Sequence, residues 1–236
     1  MSNTPGLSIL VLEYTLAWAS PYPTQLRQGV EALSYVIHTL QKVPSQVCLA
    51  GDSAGGNLVL GVLSHLLHPH PELPSLRLQG SIGGAIMISP WVSFCIDYPS
   101  MTENARKDNI TEHINVTWSQ TFLGGKKSDE YAEPLRAHDE WWSSLKSIVN
   151  EILITAGDDE YLRDSIKAFA DRLEVSRTPD SEGHHMLMYE LFQHQHPKAT
   201  FLVAQGEMHI QPLMVQPRDE VGTTRDAIFA FCRSRL

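Results

Sequence analysis

Long apolar runs are missing from this chain. No stretch approaches the roughly 18 consecutive apolar residues that a membrane-spanning helix requires, so no bilayer span is expected. Cysteine is scarce: Cys48, Cys95 and Cys232 form an odd, widely spaced set. A disulfide framework is therefore not expected, and a reducing compartment suits the chain better. Positive charge is in short supply too, with 18 basic against 27 acidic residues and a formal charge of -9. That balance gives no electrostatic basis for binding nucleic acid or an anionic membrane. Met1–Gly6 carries no basic residue and leads straight into the apolar Leu7–Leu12, which Glu13 ends too soon for a signal peptide. The sequons Asn109-Ile110-Thr111 and Asn115-Val116-Thr117 are accordingly expected to carry no glycan. What remains is 236 residues, 42% hydrophobic and 19% charged, which excludes disorder as the main state and fits one α/β domain over residues 1–236.

The apolar pattern alternates between two periods. Leu7–Tyr14, nearly continuously apolar, predicts a buried parallel strand. After Pro21 and Pro23, the spacing of Leu26, Val30, Leu33, Val36, Ile37 and Leu40 predicts a helix from about Thr24 to Gln41. Gln46–Ala50 predicts a strand, and Ser53–Leu67 a helix that ends before the proline-rich loop His68–Pro74. Further strands are predicted at Ser81–Ser89, Glu151–Ala156 and Thr200–Ala204, with helices near Leu162–Val175 and Asp219–Arg233. Strand, helix, strand with short connections predicts a mostly parallel sheet flanked by helices on both faces. From Trp91 to Val149 the rhythm breaks into an irregular, aromatic stretch. It reads as a cap-like insertion over about residues 92–149 rather than a separate domain.

Chemistry concentrates first at Gly51-Asp52-Ser53-Ala54-Gly55-Gly56, between a predicted strand and a predicted helix. This is the G-x-S-x-G pattern in the setting a nucleophile elbow requires. A turn that tight needs small neighbours, here assigned to Gly51 and Gly55, and it presents the Ser53 hydroxyl outward. The helix behind it aims backbone N–H groups at developing negative charge, with Ala54 as one oxyanion donor. The bland alternative is a glycine-rich turn that happens to contain serine; the flanking strand and helix argue against it.

On these residues the chain resembles the α/β-hydrolases, and within them the hormone-sensitive-lipase-like esterases, whose elbow also reads Gly-Asp-Ser-Ala-Gly-Gly. Tyr14-Thr15-Leu16-Ala17 with Pro21-Tyr22-Pro23 is similar to that family's Tyr-Arg-Leu-Ala-Pro-Glu segment and its proline pair, with Thr15 in place of arginine. Ser89-Pro90-Trp91 is similar to its segment after the sixth strand. The resemblance implies an α/β-hydrolase fold and a serine nucleophile whose acid and histidine follow in chain order. The family's acid precedes a Leu-Arg-Asp, found here as Leu162-Arg163-Asp164. Allowing one extra residue puts Asp159 in that place, with Asp158 and Glu160 as rivals and Asp164 read as a helix-start carboxylate. The family's base lies beyond the last strand in a Gly-x-x-His pattern, matched by Gly206-Glu207-Met208-His209. Ser53, Asp159 and His209 would then all follow carboxyl ends of parallel strands, where open α/β sheets place ligands.

The remaining histidines read more simply. His65, His68 and His70 lie among prolines and suggest a solvated loop, and His184, His185, His194 and His196 a polar connection. No metal and no organic cofactor is expected. Trp141 and Trp142 fit either a pocket wall or the core. The family's His-Gly-Gly-Gly loop and first strands have no counterpart, since Ile82-Gly83-Gly84 lies within a strand. Either the sequence is a shortened product or another arrangement closes that gap. The expected function is a serine carboxylic-ester hydrolase acting through an acyl-enzyme on a small, moderately apolar ester. A setting in secondary-metabolite or toxin biosynthesis is suggested by similar short fungal members. The alternatives are an impaired homologue that binds a small apolar ligand, and an acyltransferase or lactonising enzyme using the same residues.

The chain ends in Ser234-Arg235-Leu236, a variant of the Ser-Lys-Leu address read by the peroxisomal import receptor. The expected location is the peroxisome, with the cytoplasm as second choice and secretion not expected. A fluorescent protein fused ahead of the intact tail should collect in puncta that disappear when the last three residues are deleted. Diffuse signal in both cases would reject the address.

Overall fold

In the computed structural model, which describes residues 7–173, 177–179, 187–190, 198–214 and 222–234, strands and helices alternate much as the apolar runs imply. The order is α1 (Thr24–Ser34), β1 (Cys48–Asp52), α2 (Ala54–Leu67), β2 (Gly84–Ile88), α3 (Pro99–Glu103), α4 (Glu112–Leu123) and β3 (Glu151–Gly157). Then follow α5 (Arg163–Arg172), β4 (Arg177–Pro179), β5 (Leu187–Glu190), β6 (Lys198–Ala204) and α6 (Thr223–Arg233). The first predicted helix runs through α1 and one further π turn, Tyr35–Thr39, before Pro44 stops it. His184, His185, His194, His196, Arg235 and Leu236 lie outside the described residues, as do Val175 and Asp219 at the edges of two predicted helices.

Six described strands form one sheet in the order β1-β2-β3-β6-β5-β4. β1, β2, β3 and β6 run parallel, so their carboxyl ends share one edge, while β5 pairs antiparallel with both β6 and β4. Side chains alternate across the parallel strands as a two-residue period requires. Ala85, Met87, Ile152 and Ile154 join the larger core with α1, α2 and α5, and Ile86, Ile88 and Leu153 pack against α6 on the other face. Helices on both faces bury both sides of β2 and β3, which is why these strands read as unbroken apolar runs. No described helix is long and apolar enough to cross a membrane.

Leu7–Tyr14 departs from its expectation and forms no strand. A strand exists only through a backbone partner. Here β1 is the end strand of the described sheet, and nothing pairs with the segment. Its side chains remain open, with Ile9 69% and Val11 84% exposed. The following residues are instead tied to α1 through Thr15. Its N–H donates to Gln28 Oε1 at 2.8 Å, its hydroxyl accepts from Gln28 Nε2 at 2.9 Å, and its carbonyl accepts from Gln25 Nε2 at 2.8 Å.

The aromatic stretch after β2 packs into the same core as the sheet, contributing Trp91, Met101, Ile110, Leu135, Trp142 and Val149. Trp142 stands edge-on to Phe169 of α5, with ring centroids 5.6 Å apart at 86°, and both rings are buried. Trp141 packs on His68 and donates to Ser64 Oγ at 2.7 Å. Truncating Phe169 to alanine should remove this contact and leave a void, destabilising the protein by about 3–5 kcal/mol. Urea unfolding should show a lower midpoint at an unchanged slope.

Candidate active site

Steric limits shape the turn after β1. Ser53 caps α2 with φ 48° and ψ -114°, a strained conformation of the kind a nucleophile elbow holds. Its N–H donates to Ile88 O at 2.9 Å and its carbonyl accepts from Trp91 N at 3.0 Å, pinning the turn to the end of β2. A Cβ at Gly51 would lie 2.3 Å from the Gly55 backbone, and one at Gly56 would lie 2.9 Å from Pro90. A Cβ at Gly55 would meet nothing within 4 Å. The expectation that Gly51 and Gly55 make the turn possible is thus half corrected: Gly51 and Gly56 are the positions without room. Ala54 opens α2, where the helix N-terminus presents unpaired N–H groups.

His209 follows β6 and is buried against the turn, with Nε2 2.9 Å from Ser53 Oγ. Its Nδ1 lies 2.7 Å from Glu160 Oε1, and Glu160 is fully buried. The other carboxylate oxygen accepts from Ser89 Oγ at 2.9 Å and from Gly157 N at 2.8 Å. A carboxylate that only accepts fixes the proton on Nδ1 and leaves Nε2 free to accept from the serine hydroxyl. Burial pushes the imidazole toward neutrality, but the hydrogen bond and charge of Glu160, then the charges of Asp108 and Asp52, hold His209 above its ordinary value.

The structure therefore brings Ser53 and His209 together and does not bring Asp159 with them. Asp159 turns outward, 32% exposed, and its Oδ1 lies 2.7 Å from Lys107 Nζ. Asp158 faces Arg163 at 3.4 Å, and Asp164 sits in the first turn of α5, bonded to Arg163 and to the Ser100 N–H. The physical reason lies in a tight turn after β3. Asp159 N donates to Glu207 O at 3.0 Å and Glu160 N to Gly157 O at 3.3 Å, which sends the two side chains apart. Counting back from Leu162-Arg163-Asp164 without the extra residue lands on Glu160, the carboxylate that meets His209; the allowance of one extra residue points instead to Asp159. Ser89, whose hydroxyl orients Glu160, carries no signal for this contact in the sequence beyond its place in Ser89-Pro90-Trp91.

The histidine loop was also misread. His65 and His70 are buried, not solvated. His65 Nε2 donates to Pro74 O at 3.1 Å and its Nδ1 accepts from His70 N at 3.0 Å. His70 Nε2 lies 3.0 Å from the Tyr22 hydroxyl, which donates to Asp129 at 2.8 Å. Burial pushes both imidazoles down. Among the described residues no group of three or more His, Cys, Asp or Glu side chains is arranged to hold a metal ion.

A cavity of about 360 Å³ reaches Ala54. Its walls are mostly apolar, with Trp18, Leu58, Trp91, Trp118 and Phe122 prominent. Trp141 and Trp142 take no part in lining it.

Comparison with known proteins follows the same lines. A family model described as alpha/beta hydrolase fold matches residues 1–187. The chain is similar to steryl acetyl hydrolase 1 of Saccharomyces cerevisiae, 26% identical over 208 residues that cover 81% of this chain and 46% of that protein. It is also similar to an acetyl-hydrolase of Streptomyces hygroscopicus, 24% identical over 199 residues covering 84% of this chain and 61% of that one. The chain thus spans about half the length of these curated relatives. An esterase from the bacterial hormone-sensitive lipase family, of known structure, shares the fold with a TM-score of 0.68 at 24% identity, over 95% of this chain and 64% of that chain.

The contacts of Glu160 and Asp159 make opposite demands on a covalent probe. A fluorophosphonate should label wild type at Ser53. Glu160→Gln should slow labelling by about 10⁴-fold, the scale seen when an orienting acid becomes an amide elsewhere. Asp159→Asn should stay within about twofold of wild type, because an exposed pair with lysine is worth little. Time courses of gel fluorescence measure both, and the reverse ranking would restore Asp159.

Proposed function

The chain belongs to the α/β-hydrolase fold family, and we propose that it is a serine carboxylic-ester hydrolase. The observation that carries this reading is the line of contacts from Ser53 Oγ through His209 to Glu160, at 2.9 and 2.7 Å. His209 Nε2 takes the hydroxyl proton as Ser53 Oγ attacks the acyl carbon. Glu160 holds the ring in the required tautomer and stabilises the imidazolium. The Ala54 N–H faces the oxygen on which negative charge develops. His209 then returns the proton to the departing alcohol, and water repeats the sequence on the acyl-enzyme. Every proton is handled by side chains already in contact, with no call on a metal or organic cofactor.

The cavity supports a moderately apolar substrate. Tryptophan and phenylalanine walls favour an apolar arm of the ester over a charged one. The names of the two curated relatives support acetyl esters as the substrates to try, with the apolar alcohol seated against Trp91, Trp118 and Phe122.

Acetyl and butyryl esters of small and of bulky apolar alcohols, assayed with wild type and Ser53→Ala, test the reading. Wild type should favour the bulky alcohols, and the variant should lose nearly all turnover. Neutral imidazole is the working base, so kcat/KM should rise with pH as His209 loses its proton and then level off. Because His209 is held above its ordinary 6.5, the midpoint should lie above 6.5. A rate flat from about pH 5 to 8 would remove His209 as the base.

A further inference from the structure

The two loops that meet at His209 are also held from a third direction. The stretch Ser100–Asn109, between β2 and α4, sends polar groups into both. Asn104 Nδ2 donates to Asp158 O at 3.0 Å and to Glu160 O at 2.9 Å, and Ser100 Oγ donates to Tyr161 O at 2.9 Å. Asn109 Nδ2 lies 3.5 Å from His209 O. Asp108 reaches both loops with one carboxylate. Its Oδ1 accepts from the His209 N–H at 3.1 Å and its Oδ2 accepts from the Tyr161 N–H at 2.6 Å.

We propose that Asp108 is a positioning residue for the hydrolysis: by accepting from the backbone of His209 and of Tyr161 together, it fixes the separation of His209 and Glu160. This rests on the reading of Ser53, His209 and Glu160 as the reacting groups. Asp108 touches no side chain of Ser53, His209 or Glu160; its hydrogen bonds go to the backbone of the loops it joins. Two loops, one after β3 and one after β6, already joined where Asp159 N donates to Glu207 O at 3.0 Å, must place Nδ1 and Oε1 within 2.7 Å. A single acceptor group bridging the backbones at Tyr161 and His209 adds a second tie close to the reacting side chains, and misplacing a reacting group by about 1 Å can lower a rate about 10²-fold. Nature of the contact matters as well as reach. Both partners are N–H donors, so one amide nitrogen in place of an oxygen turns a hydrogen bond into a donor–donor clash. Asp108 also belongs to the set of acids, with Glu160 and Asp52, whose charges act on the imidazole.

Asp108→Asn and Asp108→Ala in the full chain test the proposal through two readouts. Turnover is expressed per serine titrated by a fluorophosphonate, which removes unfolded protein from the count. Imidazole 15N and low-field proton spectra report the Glu160–His209 hydrogen bond and the titration of His209 without requiring turnover. Both variants should lower kcat about 10- to 100-fold with KM within about twofold, weaken the low-field signal, and move the His209 titration downward. Wild-type turnover per titrated serine together with an unchanged low-field signal would overturn the proposal. A loss accounted for wholly by fewer titratable serines would overturn it equally. Should Ser53→Ala keep wild-type turnover, the hydrolase reading falls, while the imidazole spectra of the Asp108 variants still decide whether this carboxylate sets the His209–Glu160 contact.

Discussion

A carboxylate shut away from water must find its compensation inside the protein, and Glu160 finds it on three strand ends. Gly157 N at the end of β3, Ser89 Oγ after β2 and His209 Nδ1 after β6 all point at its two oxygens. None of these partners can leave without exposing a buried charge to an apolar surrounding, so the edge of the sheet is locked by electrostatics as much as by its backbone ladders. The lock needs β2, β3 and β6 parallel and adjacent, because that arrangement brings these carboxyl ends side by side. It also needs close backbone approach: a Cβ on Gly157 would lie 2.0 Å from Glu207 O, in the loop that carries His209.

The parallel strands were legible because burial on both faces leaves an apolar run that few other structures produce. The elbow was legible because its glycines and serine sit between a strand signal and a helix signal. Three things were not. Leu7–Tyr14 has the composition of a strand, yet pairing is a property of two segments and no composition supplies the partner. β4 and β5 were passed over as connection, since short antiparallel strands carry little periodicity of their own. The carboxylate that meets His209 lies one residue beyond the expected Asp159, because side-chain direction in a tight turn reverses from one position to the next. Asp159 and Glu160 are neighbours in sequence but face Lys107 and His209 respectively. His65 and His70 show the same limit from the other side: polar residues beside prolines look solvated, yet His70 meets the Tyr22 hydroxyl and His65 bonds Pro74 O and the His70 N–H, and both are buried.

The stretch between β2 and β3 does more than cover the sheet. Trp91, Trp118 and Phe122 give the cavity its apolar wall, while Ser100, Asn104 and Asp108 grip the backbone behind Glu160 and His209. Aromatic and polar residues thus divide the work within one stretch, with Trp118 and Phe122 on α4, Ser100 in α3, and Asn104 and Asp108 in the turn and bend that follow α3. Thr15 is held in a similar way on the far side of the cavity, where the Gln25 and Gln28 amides of α1 bind its N–H, carbonyl and hydroxyl.

The charge around His209 sets a balance between two demands on a base. Burial alone would keep the imidazole neutral and ready to accept a proton, but would leave the imidazolium unsupported once formed. Glu160, Asp108 and Asp52 supply that support, and in doing so raise the pH at which the ring becomes neutral. In the proposed hydrolysis the gain belongs to the transition state, where positive charge builds on the ring as the serine hydroxyl loses its proton. The loss belongs to the resting state, and it vanishes once the pH exceeds the His209 titration. A site built this way gives up rate in acid to gain it in neutral and alkaline solution. The buried glutamate makes the exchange favourable, because its contact is direct and dry, whereas Asp108, which is only partly buried, contributes a weaker and more easily screened share.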